Sequence, residues 1–308
     1  MYKYLVILLV FFLACIKQEK GVLSQEISNW EFEHKSGWYE AEVPGNNFSD
    51  LLNHGLISDP FYRTNEDSVQ WIAEKNWNYR SKFSVSEKLL SKKNHILCFN
   101  GLDSYAKVYL NDSLILQANN MFQTWDVDVS NILKEENTLL VRFNSATKIE
   151  RQKQTALGYY LPGGDRVFTR KAGFHYGWDW GAKITPSGIW RKVELKSWDA
   201  CIINNIYVTQ DNLTDSLANL TVSIEIESST AKTITVKVHD NILEDFKLKK
   251  GNNSLSLNIQ ILSPELWWPH GYGKQALYDI PVSISDNNGT IDNQIKKIGL
   301  RKIELITK

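Results

Sequence analysis

The chain has 308 residues, 43% of them hydrophobic, with 35 Lys plus Arg set against 35 Asp plus Glu. That length allows two domains, each with a core of its own, and the composition excludes a disordered or collagenous chain. A net charge of zero offers no field to draw in a polyanion, so no nucleic-acid partner is expected.

In chain order, the first predicted element is an export signal. MYKYLVILLVFFLAC puts Lys3 ahead of an apolar block from Tyr4 to Ala14, shorter than the roughly 20 residues needed to span a bilayer. Ala14 before Cys15 forms a lipoprotein-type cleavage box, with Phe12 where Leu is usual. On that reading Cys15 is lipidated and residues 16–24 form a polar tether; the alternative is an ordinary secretory signal cut nearby. Both predict export: to the periplasm or surface of a bacterium, membrane-attached only through the lipid, or to a secreted or lysosomal location in a eukaryote.

Short helices are expected around SDLLNHG (49–55) and NEDSVQWIAE (65–74). Strand signals follow at YRSKFSVS (79–86), HILCFNG (95–101), AKVYLND (106–112), TWDVDVS (124–130) and NTLLVRFNS (137–145). These segments alternate or run apolar between Asn, Asp, Gly and Ser turns, the pattern of an antiparallel sheet. A long irregular stretch then runs from Ala146 to Gly188, and IWRKVELKSW (189–198) returns as a strand. Loops of that length in a compact domain are usually functional or disordered, and the aromatic density here favours an ordered one. Beyond residue 198, six evenly spaced apolar segments, the last being QIKKIGLRKIEL, predict an immunoglobulin-like sandwich. The expected division is therefore an all-β chain with residues 25–198 as one domain and 199–308 as the other. Cys98 and Cys201 lie in apolar runs and read as small buried hydrophobes; their expected placement in different domains argues against a disulfide.

The aromatic content, 11 Trp, 13 Tyr and 12 Phe, suits a carbohydrate site, because the C–H face of a sugar ring packs on a flat aromatic face. The densest stretch is GFHYGWDWGA (173–182), where Asp179 stands between Trp178 and Trp180 and Gly177 and Gly181 allow a tight turn. Two readings are open: the tryptophans are core and Asp179 caps a turn, or the three residues form a binding loop. Arg170 could orient Asp179 or bind a hydroxyl itself, or Arg170 and Lys171 could be a solvated basic pair. His175 is either a hydrogen-bond donor to sugar or a structural residue. In PELWWPHGYG (264–273), Pro264 and Pro269 favour a rigid structural corner over a sugar platform. Asn119, Asn120, Met121 and Phe122 are expected to form a buried turn, and residues Asp59 to Arg63 a loop beside the pocket mouth. No metal-ligand spacing, phosphate loop, dinucleotide fingerprint or nucleophile elbow occurs, so no metal and no cofactor is expected.

Four blocks together carry a family resemblance: AEVPGNNFSDLLNHGLISDPFYRTNE (41–66), LCFNGLDSYAKVYLNDSLILQANNMFQTWDVDV (97–129), TRKAGFHYGWDWGA (169–182) and LWWPHGYGKQALYDI (266–280). In this order and spacing they resemble the non-catalytic N-terminal portion of the β-mannosidases, within glycoside hydrolase family 2. WDWG discriminates most; Ala182, where proline is usual, departs from the pattern. The resemblance implies a galactose-binding-like jelly roll followed by an immunoglobulin-like sandwich. It also implies a TIM barrel, outside this chain, that carries the catalytic glutamates; Glu66, Glu74 and Glu265 match none of the catalytic motifs. IGLRKIELITK looks like the strand leading into that barrel. The implied substrate is a β-mannoside or manno-oligosaccharide, with Trp178 and Asp179 at the subsite of the cleaved sugar, Trp180 as a further wall, and no catalytic residue in these 308. Two alternatives stay open: a free-standing surface carbohydrate-binding module without hydrolase activity, and another specificity of the same family, such as glucosaminide cleavage.

Overall fold

The computed structural model describes residues 21–35 and 37–307, without the side chain of Asp179. The predicted export signal and Cys15 lie outside the described residues. Two compact units result, one running from Val22 to Cys201 and the other from Ile202 onward.

The first unit carries twelve strands: β1 (Leu23–Glu26), β2 (Trp30–His34), β3 (Gly37–Ala41), β4 (Trp77–Ser84), β5 (Asn94–Phe99), β6 (Leu102–Asp103), β7 (Tyr105–Leu110), β8 (Ser113–Asn119), β9 (Trp125–Asp128), β10 (Glu136–Asn144), β11 (Gly188–Ile189) and β12 (Val193–Trp198). They form a six-stranded sheet ordered β3-β2-β4-β10-β7-β8, a four-stranded sheet ordered β1-β12-β5-β9, and a β6-β11 pair. Alternation explains which face each strand buries. In β10, Asn137, Leu139, Val141 and Phe143 point inward, in register with Phe83, Ser81, Tyr79 and Trp77 of β4. Leu97, Phe99, Val193 and Leu195 of the smaller sheet belong to the same core. Each such large apolar side chain contributes roughly 1.5–3 kcal/mol.

Four helices decorate this frame: α1 (Asn47–Asn53), α2 (Asn65–Ser68), α3 (Glu87–Leu90) and α4 (Ala146–Leu157). α1 starts where Asn46 Oδ1 accepts the N–H groups of Phe48 and Ser49, a side-chain cap. The fourth overturns the expectation of an irregular stretch from Ala146. Ser145 caps it by accepting the Lys148 N–H, and Gly158 ends it at φ 79°. No apolar stripe betrays this helix, because the residues it buries are Ala146, Glu150 and Gln154.

Asp50 of α1 is buried, accepting the Tyr79 hydroxyl at 2.7 Å and the Glu42 N–H at 2.9 Å. Burial raises its carboxyl from 3.8 to about 6, against the opposing pull of those two donors and of His54, with Glu42 adding a smaller upward push. Between those two values the folded state keeps a proton that the unfolded chain has lost, so stability falls as pH rises through the window. Asn cannot titrate there. Urea unfolding of Asp50→Asn beside the unsubstituted chain is expected to show a pH 4-to-7 loss that is smaller in the variant by roughly 2–3 kcal/mol; equal losses would contradict this account.

The second unit is a two-sheet sandwich of β13 (Cys201–Leu213), β14 (Leu217–Ser228), β15 (Lys232–Val238), β16 (Asn241–Leu248), β17 (Gly251–Leu262), β18 (Tyr278–Asp286) and β19 (Gly289–Ile298). One sheet is β13-β14-β17 and the other β16-β15-β18-β19. Ala218, Leu220, Val222, Ile224 and Ile226 of β14 and Ile280, Val282 and Ile284 of β18 fill the core. The last strand stops earlier than QIKKIGLRKIEL predicts. Ile298 pairs with Tyr278, the first residue of β18, so β18 has no further residue to offer it. Gly299 then passes so close to Trp267 that a Cβ there would lie 3.0 Å from the tryptophan side chain, and Trp267 N–H donates to Leu300 O at 2.8 Å. Residues 299–307 have no regular structure, and Ile303, Leu305 and Ile306 are exposed. Trp267 thus packs within its own sandwich, whereas Trp268 is exposed. Cys98 and Cys201 are both buried, and Cys201, expected in the second domain, closes the first unit.

Candidate functional site

The segment 158–188 joins α4 to β11 and folds through three single-turn 3-10 helices, Asp165–Phe168, Gly173–Tyr176 and Trp178–Trp180. Its entry is held by buried charge. The Lys171 ammonium, with a side-chain exposure of 0%, is paired with the Asp103 carboxylate and donates to Pro186 O at 2.7 Å. Burial lowers the Lys171 pKa and Asp103 opposes that shift. The reading of Arg170 and Lys171 as a solvated pair is therefore corrected: Arg170 is exposed, and Lys171 is a core ion. The Arg170 backbone contributes too, its carbonyl accepting the Met121 N–H at 3.0 Å.

The Asn119–Phe122 turn braces the same entry, but only Met121 of the four is buried and Phe122 is 60% exposed, which corrects the expected buried turn. Met121 supplies the sulfur that accepts the Ala172 N–H and the carbonyl that accepts the Trp190 indole N–H. Next along the loop, the Tyr176 hydroxyl donates to the Glu150 carboxylate of α4. Burial raises the pKa of both groups.

His175 is largely enclosed. Its Nδ1 lies 3.7 Å from Asp103 Oδ2 and has no hydrogen-bond partner among the described residues. Burial, reinforced by the Lys171 charge and opposed by Asp103, depresses its pKa to about 4. At neutral pH the ring is uncharged, so the pair with Asp103 is not ionic. The Phe174 ring meets it edge-on, with centroids 4.5 Å apart.

Beyond Tyr176 the chain turns on Gly177, whose φ of 77° favours glycine. Gly181 does not share that role: at φ −75° and ψ 170° it is extended backbone open to any residue. Trp180 takes the left-handed conformation instead, at φ 58°, a strained choice for a bulky side chain that is met mainly at functional positions. Neither tryptophan is core. Trp178 is 58% exposed and Trp180 100%. The Arg166 guanidinium stands 4.5 Å over the Trp178 ring and donates through Nε to Gly163 O at 3.1 Å, which restrains that indole. The backbone of Asp179 sits at the centre of this turn; the side chain, to which the sugar-binding role was assigned, lies outside the described residues.

The exit is tied down as firmly. Lys183 N–H donates to Glu66 Oε1 and Gln70 Nε2 donates to Lys183 O, each at 2.8 Å. Thr185 Oγ donates to His175 O at 2.9 Å, closing the loop on itself. Ser187 N–H donates to Asn47 Oδ1 at 3.0 Å. Gly188 passes so near Asn46 Cα and Gly45 O that a Cβ would lie 2.6 Å from each.

Between this loop and α1 lies an open cleft of about 410 Å³. Phe48, Leu52, Pro60 and Phe61 line one side, and Phe174, His175, Ala182 and Ile184 the other. The loop from Asp59 to Arg63 reaches it through Pro60 and Phe61, the latter 76% exposed. Of the residues singled out from sequence, Trp178, Trp180 and His175 share one loop, with Arg170 just ahead of it. Asp103, Glu150, Glu66 and Gln70 were missed, although Asp103 and Glu66 stand inside blocks that carried the resemblance. No metal-binding group of His, Cys, Asp and Glu occurs among the described residues.

Residues 30–191 match the model of the glycosyl hydrolase 2 galactose-binding-like domain, and residues 201–301 that of glycosyl hydrolases family 2. The chain belongs to glycosyl hydrolase family 2. As a family 2 chain it is 32% identical over 295 residues to β-mannosidase B of Thermothelomyces thermophilus, covering 91% of itself and 34% of that protein. With the β-mannosidase of Capra hircus it shares 30% identity over 303 residues, covering 90% and 34%. It spans about a third of the length of these relatives. Among solved structures, the β-D-mannosidase of Dictyoglomus thermophilum superposes with a TM-score of 0.80 at 35% identity, over 92% of this chain and 36% of that one. The exo-chitosanase of Amycolatopsis orientalis shares the fold, with a TM-score of 0.70 at 21% identity over 90% of this chain and 33% of that one.

Proposed function

We propose that this chain is the N-terminal, non-catalytic part of an exported β-mannosidase and that its Trp178–Trp180 turn walls the pocket for the terminal mannosyl unit. One observation carries the reading: two exposed indoles, with an aspartate between them in the sequence, stand on a braced loop in a chain whose relatives at 30–35% identity include β-mannosidases. In this reading the Asp179 carboxylate accepts hydrogen bonds from two hydroxyls of the sugar, which selects its configuration. Trp178, held by Arg166, and Trp180 exclude water and so strengthen those contacts. His175, neutral at working pH, contributes a hydrogen-bonding ring without charge, and the exposed Arg170 supplies a donor for a hydroxyl.

Hydrolysis itself needs two carboxyl groups. Retention of configuration places an acid and a nucleophile about 5–5.5 Å apart across the glycosidic bond. Both are assigned here to a catalytic barrel outside this chain. The export part of the proposal rests on the N-terminal signal and Cys15; among the described residues no helix is long and apolar enough to cross a membrane.

The purified 308-residue product is expected to release no nitrophenolate from 4-nitrophenyl β-D-mannopyranoside above an Asp179→Ala control. Turnover above that control would place the chemistry within this chain and contradict the proposal.

A further inference from the structure

The turn that presents Trp178 and Trp180 is gripped from behind by two side chains that play no part in the proposed chemistry. Glu66 and Gln70 lie four residues apart, in α2 and in the 3-10 turn Gln70–Ile72 that follows it. The break at Val69 separates the two elements, yet both side chains reach the same residue. Glu66 Oε1 accepts the N–H of Lys183, and Gln70 Nε2 donates to the carbonyl of the same residue, both at 2.8 Å. Lys183 is thereby held on each side of its Cα. The Gln70 amide also donates to Glu66 O at 2.9 Å, which identifies its nitrogen and fixes its orientation.

The loop needs such a grip. Gly181 and Ala182 impose no backbone restriction of their own, and Trp180 holds the unfavourable φ of 58°. A residue kept in that region relaxes unless the surrounding structure prevents it. Upstream, the Tyr176–Glu150 hydrogen bond and the Lys171–Asp103 ion pair restrain the chain. Downstream, the first side-chain anchor after the turn is the pair on Lys183.

We infer that Glu66 and Gln70 are positioning residues: through the backbone of Lys183 they set where the Trp178–Trp180 turn stands. The consequence for substrate rests on the β-mannoside reading above, whereas the clamp itself does not.

The clamp is directional, with an acceptor for the N–H and a donor for the carbonyl, and this supplies its test. Glu66→Gln keeps an acceptor. Glu66→Ala removes it, and Gln70→Glu sets a carboxylate against the Lys183 carbonyl. Amide hydrogen exchange is followed in the 308-residue chain at Lys183 and at Val141 in the core. In parallel, ¹⁹F NMR is recorded on 5-fluorotryptophan-labelled protein, with resonances assigned through Trp178→Phe and Trp180→Phe. Glu66→Ala and Gln70→Glu are expected to speed exchange at Lys183 about tenfold, as loss of a hydrogen bond to a charged or fixed polar partner should. Val141 stays protected, the two loop tryptophan resonances shift or broaden, and Glu66→Gln stays near the unsubstituted chain. Should Glu66→Ala fail to fold, Gln70→Ala carries the same expectation.

Unchanged exchange at Lys183 in the folded variants would overturn the inference, and so would a freed Lys183 with both tryptophan resonances unmoved. In a β-mannosidase carrying this chain, the disruptive variants lower kcat/KM on 4-nitrophenyl β-D-mannopyranoside and Glu66→Gln restores it. If the unsubstituted enzyme lacks that activity, the proposed function fails and the exchange and ¹⁹F results still judge the clamp.

Discussion

Asp103→Ala is expected to destabilise the first unit by about 3–5 kcal/mol, the cost of leaving a buried charge without its partner. The Lys171 side chain has no exposure, and without Asp103 its ammonium keeps the hydrogen bond to the Pro186 carbonyl but no counter-charge. Lys171→Met alone strands the opposite charge, since Asp103 is 3% exposed and would retain the Ser104 hydroxyl and a neutral His175. Both singles are therefore severe. Asp103→Ala combined with Lys171→Met removes the two desolvated charges together and should recover most of the loss, because a buried ion pair contributes far less net than either half costs when orphaned. Denaturant titration of the four proteins checks this; additive losses in the double variant would show that the pair does not act as a unit.

The second large effect falls on recognition. In a β-mannosidase carrying this chain, Asp179→Ala is expected to lower kcat/KM on a β-mannoside by ~10²–10⁴-fold. Two charge-assisted hydrogen bonds at roughly 1.5–3 kcal/mol each sum to about 3–6 kcal/mol, and about 1.4 kcal/mol corresponds to one decade of rate. Folding should be spared, because the turn is held by its neighbours: Gly177 supplies the left-handed backbone, and Lys183 is bound to Glu66 and Gln70. Stability near the unsubstituted value with a collapse in kcat/KM separates recognition from structure.

What could be read from the sequence was what alternates. β10 and β14 bury every second residue, and both were legible as strands for that reason. β16 was not: among Asn241–Leu248 only Leu248 is buried, so this edge strand carries no apolar rhythm. α4 was hidden by the same logic, since the face it buries includes Glu150 and Gln154 and its only local signals were the Ser145 cap and Gly158. β2 did alternate, with Trp30, Phe32 and His34 inward, but five residues give a weak pattern.

At the candidate site, the residue types and spacing of WDWG were enough to single out the loop, while what holds it was invisible. Lys171 looks like a solvated neighbour of Arg170 until β6 brings Asp103 to it from 68 positions away. Glu66 and Lys183 are separated by 117 positions. No local window contains such pairs. The roles of the two glycines also could not be told apart from sequence, because only Gly177 has a positive φ and the strain sits on Trp180.

The most direct measurement is kcat/KM of the Asp179→Ala enzyme, beside the unsubstituted one, on 4-nitrophenyl β-D-mannopyranoside and on the corresponding β-D-glucopyranoside, its epimer at C2. Recognition of the mannosyl unit by Asp179 predicts a loss on the mannoside large enough to erase the preference between the two sugars. A folded Asp179→Ala enzyme with undiminished kcat/KM and unaltered preference would contradict it.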